Sequence, residues 1–100
     1  MDFLHEFGLS NKDIEEIKEN NDEAVLKNVA LNKENVKQIV NYFKEIGVSD
    51  ASIKDLFVLQ IGMFHRTKDE IVSVFDEYEL ESIIKSLNYD VNTVDLIEFS

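Results

Sequence analysis

Apolar residues recur along this chain at helical spacing. Between Lys33 and Ile46 they fall at Val36, Ile39, Val40, Phe43 and Ile46, the stripe of one helical face. Lys33, Lys37, Asn41 and Lys44 occupy the other side. Asn32 offers an N-cap oxygen and Gly47 a left-handed closing residue, so a helix is predicted over Lys33–Ile46. A second is expected over Asp50–Gln60, capped by Ser49. Its run Leu56-Phe57-Val58-Leu59 is apolar almost all round, which predicts a central position. A third starts at Thr67, where Thr67 and Glu70 have capping-box spacing, and runs through Ile71, Val74, Phe75 and Tyr78. The stripe then shifts to Leu80, Ile83, Ile84 and Leu87, predicting a break near Glu79, with one long helix as the alternative.

The ends carry shorter patterns. Phe3 to Phe7 reads as a helical turn or two, and Asn11 to Lys18 as a helix capped by Ser10. Asn20, Asn21 and Asp22 form a polar connection before a short apolar piece at Ala24, Val25 and Leu26. A last element, Val91 to Phe99, follows Asp90 as its cap. Absence of proline and only three glycines disfavour folds that need many tight turns. The prediction is one all-α domain over 1–100, a small array of about five to seven short helices with a solenoid-like, helix-turn-helix arrangement.

Three stretches match in kind. Phe7-Gly8-Leu9-Ser10 leads to Ile14 and Ile17, Ile46-Gly47-Val48-Ser49 to Ile53 and Leu56, and Leu87-Asn88-Tyr89-Asp90 to Val94 and Ile97. Gly8 and Gly47 stand 39 positions apart, and Gly47 and Asn88 stand 41 apart. In each stretch an apolar residue ends a helix and a residue tolerant of left-handed backbone reverses the chain. An oxygen side chain then caps the next helix. The units so defined are 3–41, 42–82 and an incomplete 83–100, a period typical of stacked helical repeats. This apolar-Gly-Leu/Val-Ser signature resembles the helical repeat of the mitochondrial transcription termination factor family. Leu56 to Thr67, ending in Met63-Phe64-His65-Arg66-Thr67, resembles the second part of that repeat. The resemblance covers about two units and implies a curved stack that binds nucleic acid on a basic concave face. The family's usual proline is missing here, with Gly62 near its place.

Charge changes the functional picture. Ten Lys and Arg against twenty-one Asp and Glu give a net charge of −11, which weighs against phosphate binding and favours a basic partner surface. Lys33, Lys37, Lys44 and Arg66 are the candidates for contacting nucleic acid. Catalytic chemistry finds no footing. The only histidines, His5 and His65, stand far apart, there is no cysteine, and the three glycines are too dispersed for a phosphate loop. Ser10 and Ser49 read as caps. Asp90, Asn92 and Asp95 mimic a calcium loop only in part and lack its central glycine. No catalytic, cofactor-binding or metal-binding residue is therefore assigned.

No segment approaches the roughly 18 apolar residues of a membrane span, and the acidic start Met1-Asp2-Phe3-Leu4-His5-Glu6 is unlike a signal peptide, so a cytoplasmic location is expected. The most distinctive surface candidate is Asp76-Glu77-Tyr78-Glu79-Leu80-Glu81, where Tyr78 and Leu80 stand among four carboxylates. It suits a basic, partly apolar protein. The leading expectation is a non-catalytic helical module that binds a protein partner, a second copy of itself included. Nucleic-acid binding through the family resemblance is the alternative, and acidic mimicry of nucleic acid, directed at a basic protein, is a third.

Overall fold

The computed structural model describes residues 2–97. Its first 3-10 helix, Asp2–Phe7, leads into α1 (Asn11–Asn20), α2 (Glu23–Leu31), α3 (Lys33–Ile46) and α4 (Asp50–Leu59). A second 3-10 helix (Ile61–His65), α5 (Lys68–Phe75), α6 (Leu80–Tyr89) and a third 3-10 helix (Val91–Leu96) complete the order. All regular structure among these residues is helical, as the apolar spacing predicted. Met1 and residues 98–100 lie outside the described span, and with them the expected end of the last element at Phe99.

The element ends follow local chemistry. Ser10 caps α1 in a closed capping box: its hydroxyl accepts from Asp13 N at 3.2 Å, and its own N–H donates to the Asp13 carboxylate at 2.9 Å. Ser49 caps α4 by accepting from Ser52 N. Gly47 takes φ +108°. Val48 N donates to Phe43 O at 2.9 Å and Gly47 N to Lys44 O at 3.2 Å, the paired bonds of a Schellman ending. Gly8 is left-handed too, at φ +86°.

Four expectations need correction. Asn32 does not cap α3 with its side chain; its amide instead donates back to Asn28 O at 2.9 Å, because α2 runs to Leu31 and leaves no extended residue before α3. That α2 reaches Leu31 was not legible in its short apolar piece. At α5, Thr67 accepts from Glu70 N, but no reciprocal bond from the Thr67 N–H to the Glu70 carboxylate closes the box. In the third copy of the repeat, Asn88 remains helical inside α6, and the described residues after Asp90 form a 3-10 rather than an α-helix. An L-residue gains nothing by entering left-handed backbone when its side chain has other partners. Asn88 has them: it accepts from Ser49 N at 2.8 Å and donates to Gly47 O at 3.2 Å, bracing the second connection.

The predicted break between α5 and α6 is present, at Asp76–Glu79. A continuous helix would turn Leu80, five residues beyond Phe75, about 140° away from it. Reversal through i→i+3 bonds, Glu77 N to Val74 O and Tyr78 N to Phe75 O, lets both residues face inward. α4 holds the central position expected of it, in contact with α1, α3, α6 and all three 3-10 helices. Leu56 and Phe57 are wholly buried, although Leu59 at its end is half exposed.

The core is strung on aromatic rings. Phe3 meets Phe7, Phe7 stacks on Phe57, and Phe57 lies 4.0 Å from Phe64 with rings nearly parallel. Phe64 meets Phe43 edge-on, Phe43 meets Phe75, and Phe75 meets Tyr42. This row crosses from the first 3-10 helix to α5 and ends beside the acidic turn. The Cα radius of gyration, 12.8 Å, is that of a compact domain of this length.

Candidate partner-binding site

The six candidate residues separate by direction. Asp76, Glu77, Tyr78, Glu79 and Glu81 are exposed, whereas Leu80 is half-buried and packs against the core. Tyr78 is 42% exposed, so its ring is available from solvent while part of it rests on the protein. The stretch is a turn followed by the first residues of α6. Glu81 lies in the first turn of α6, where a negative charge is favoured by the helix dipole. Among the described residues no ion pair engages Asp76, Glu77, Glu79 or Glu81. The pairs Lys37–Glu6 (3.6 Å) and Lys54–Asp13 (3.7 Å) lie on other elements.

The structure adds two residues that sequence reasoning passed over. Tyr42, on α3, is only 9% exposed, with its ring 6.3 Å from that of Phe75. Burial pushes its phenol above the ordinary tyrosine range, and the carboxylates of Asp76 and Glu45 push it further. Asp76 directly follows Phe75, and Glu45 follows Tyr42 by three positions, one helical turn along. The negative surface therefore joins the α5–α6 turn to the last turns of α3. Helical spacing alone shows Tyr42 and Glu45 as neighbours; only the packing of α3 on α5 brings in Asp76.

Other candidates resolve into plainer roles. The His5 ring donates from Nδ1 to Leu9 O at 2.9 Å, and His65 is exposed at the end of its 3-10 helix. Asp90 accepts from Asn92 N, while Asn92 and Asp95 accept from the Gln60 amide at 2.9 and 3.3 Å. Among the described residues no three carboxylate or imidazole groups are placed to share a metal ion. Lys33 and Lys44 are exposed, Lys37 is paired with Glu6, and Arg66 is half-buried with its carbonyl accepting from Asn35 at 2.7 Å. At the end of α6 and in the third 3-10 helix, Tyr89 and Leu96 are exposed by 93% and 82%. Compared with known proteins, the chain matches no family model, no curated protein and no solved structure.

Proposed function

We propose that this chain is a non-catalytic helical module that binds a protein partner through the acidic turn between α5 and α6. One observation carries the reading: Tyr78 stands exposed among carboxylates that no ion pair engages among the described residues. A tyrosine in such a place supplies apolar area at small entropic cost, and unpaired charge around it steers a basic surface toward it. Behind it the aromatic core holds the turn in place, so little conformational freedom is lost on binding. On this reading α1, α4 and the third 3-10 helix are successive members of a short stacked array. α4 touches both of the others, which supports that equivalence.

The alternative, nucleic-acid binding, needs phosphate contacts from lysines on α3, and one of the three, Lys37, is already paired with Glu6. A second version of the protein-binding reading is self-association through Tyr89 and Leu96, favoured by their exposure. Sedimentation over a range of concentrations tests it, since a Leu96→Ser variant should then remain monomeric where the unsubstituted chain does not. The main reading is tested by affinity capture with and without nuclease, at low and moderate salt. A protein retained after nuclease and released by salt is expected. Nucleic acid retained at moderate salt would overturn the reading.

A further inference from the structure

The aromatic row that ties the first 3-10 helix to α5 stops before α6. Among the described residues, no ring contact and neither ion pair involves the stretch from Leu80 to Leu96, whose one ring, Tyr89, is almost fully exposed. α6 and the third 3-10 helix pack on each other, and the element on which both rest is α4. Together they bury Ile83, Leu87, Val91 and Val94, four side chains for the whole stretch, whereas α3 alone buries five. Burial is what offsets the entropy of ordering a segment, so this stretch is held less tightly than the body beneath it. Two side-chain amides complete the attachment. Asn88 accepts from Ser49 N at 2.8 Å and donates to Gly47 O at 3.2 Å. Gln60, at the end of α4, donates to Asn92 at 2.9 Å and to Asp95 at 3.3 Å. These bonds are exposed, where water competes for the same groups.

We propose that α6 and the third 3-10 helix form a strap over α4 that opens as a unit while the rest of the fold stays formed. Its hinge is Glu79, the extended residue between the acidic turn and α6. A helix with the segment it packs against is the usual scale of such partial opening. Opening uncovers the side of α4 on which the strap rests, on a helix whose run Leu56-Phe57-Val58-Leu59 is apolar almost all round. The two amide clasps set how often this happens. The opening belongs to the chain alone and does not depend on the partner-binding reading.

Native-state hydrogen exchange of the full chain, followed by amide NMR at low denaturant, tests the strap. Once off α4, a ten-residue helix is too short to hold itself, so its amides exchange whenever the strap opens. Leu87 in α6 should therefore show at least about tenfold less protection than Val40 and Phe43 in α3, which wait for global unfolding. Two variants separate the openings. Ser10→Ala weakens a cap that the strap-open form retains, so it should speed Val40 and Phe43 about fivefold and leave Leu87 unchanged. Gln60→Ala removes a clasp that both openings break, so it should speed Leu87 and Val40 alike, by about fivefold. A Ser10→Ala variant in which Leu87 and Val40 quicken by the same factor would show one cooperative unit and overturn the strap. Exchange at Leu87 that ignores Gln60→Ala would overturn the clasp and the closed form it defines.

Discussion

Single residues at the helix starts carry measurable parts of the account. Ser10 makes both bonds of a capping box, so Ser10→Ala should lower stability by about 1 kcal/mol in chemical denaturation. Asn32→Ala should cost less, because its side chain does not cap the start of α3 and makes only an exposed bond back to Asn28 O. Asp13 shares the Ser10 box. The hydrogen bond from the Ser10 backbone, with help from Lys54, holds its carboxyl below the ordinary value, against a smaller effect of burial. A depressed carboxylate stabilises the fold above its unfolded pKa and loses that contribution as pH falls through the folded one. Asp13→Asn should therefore flatten the acid limb of a stability-against-pH curve. Tyr42 behaves in the opposite sense. Its raised pKa means that stability is fully present below the ordinary tyrosine value and lost as pH climbs through the folded one. Ultraviolet titration should find Tyr42 ionising above the ordinary tyrosine value, and Glu45→Gln should bring it earlier. A Tyr42 that ionises at the ordinary tyrosine value would contradict its burial beside Glu45 and Asp76.

At the scale of elements, what could be read in advance was whatever local chemistry decides. The stripe through Val36, Ile39, Val40 and Phe43, closed by Gly47, placed α3 at its observed bounds, because face and stop lie within one segment, although the cap expected of Asn32 does not form. The break before Leu80 was legible for the same reason. Failures came where a neighbour in space decides. Asn88 looks like a turn residue in sequence, yet it stays helical because its amide is engaged by Gly47 and Ser49, some forty positions away. Part of the candidate site was legible too, since Tyr78 and its carboxylates are one run of sequence. Leu80's inward turn was legible as the first position of the α6 stripe, whereas the approach of Asp76 to Tyr42 was not, because it depends on α5 and α3 packing together. The connection itself makes a further prediction. At Gly47 an added Cβ would meet nothing closer than Ile84 Cγ2 at 3.7 Å, so strain at φ +108° rather than a clash sets the cost. Gly47→Ala should destabilise by about 1–2 kcal/mol, the penalty for left-handed backbone in an L-residue.

For the whole molecule, the aromatic row ties the core to the surface that the proposed function uses. Phe57 sits within it, wholly buried and stacked between Phe7 and Phe64. Phe57→Ala should cost about 3–5 kcal/mol, enough to unfold a marginal domain, and Phe57→Asp should abolish the helical circular-dichroism signal by stranding a charge there as well. A soluble, fully helical Phe57→Asp variant would contradict the core described here. The net charge of −11 sets the second whole-molecule property: attraction to a basic surface that fades as salt rises. The most direct test of the central claim compares two chains in parallel affinity capture after nuclease treatment. One is unsubstituted, and the other carries Glu77→Lys and Glu79→Lys at exposed positions of the turn. The account predicts a protein held by the first chain and absent from the second, with both chains equally folded. The same proteins held equally by both chains would contradict the claim that the acidic turn is where this molecule meets its partner.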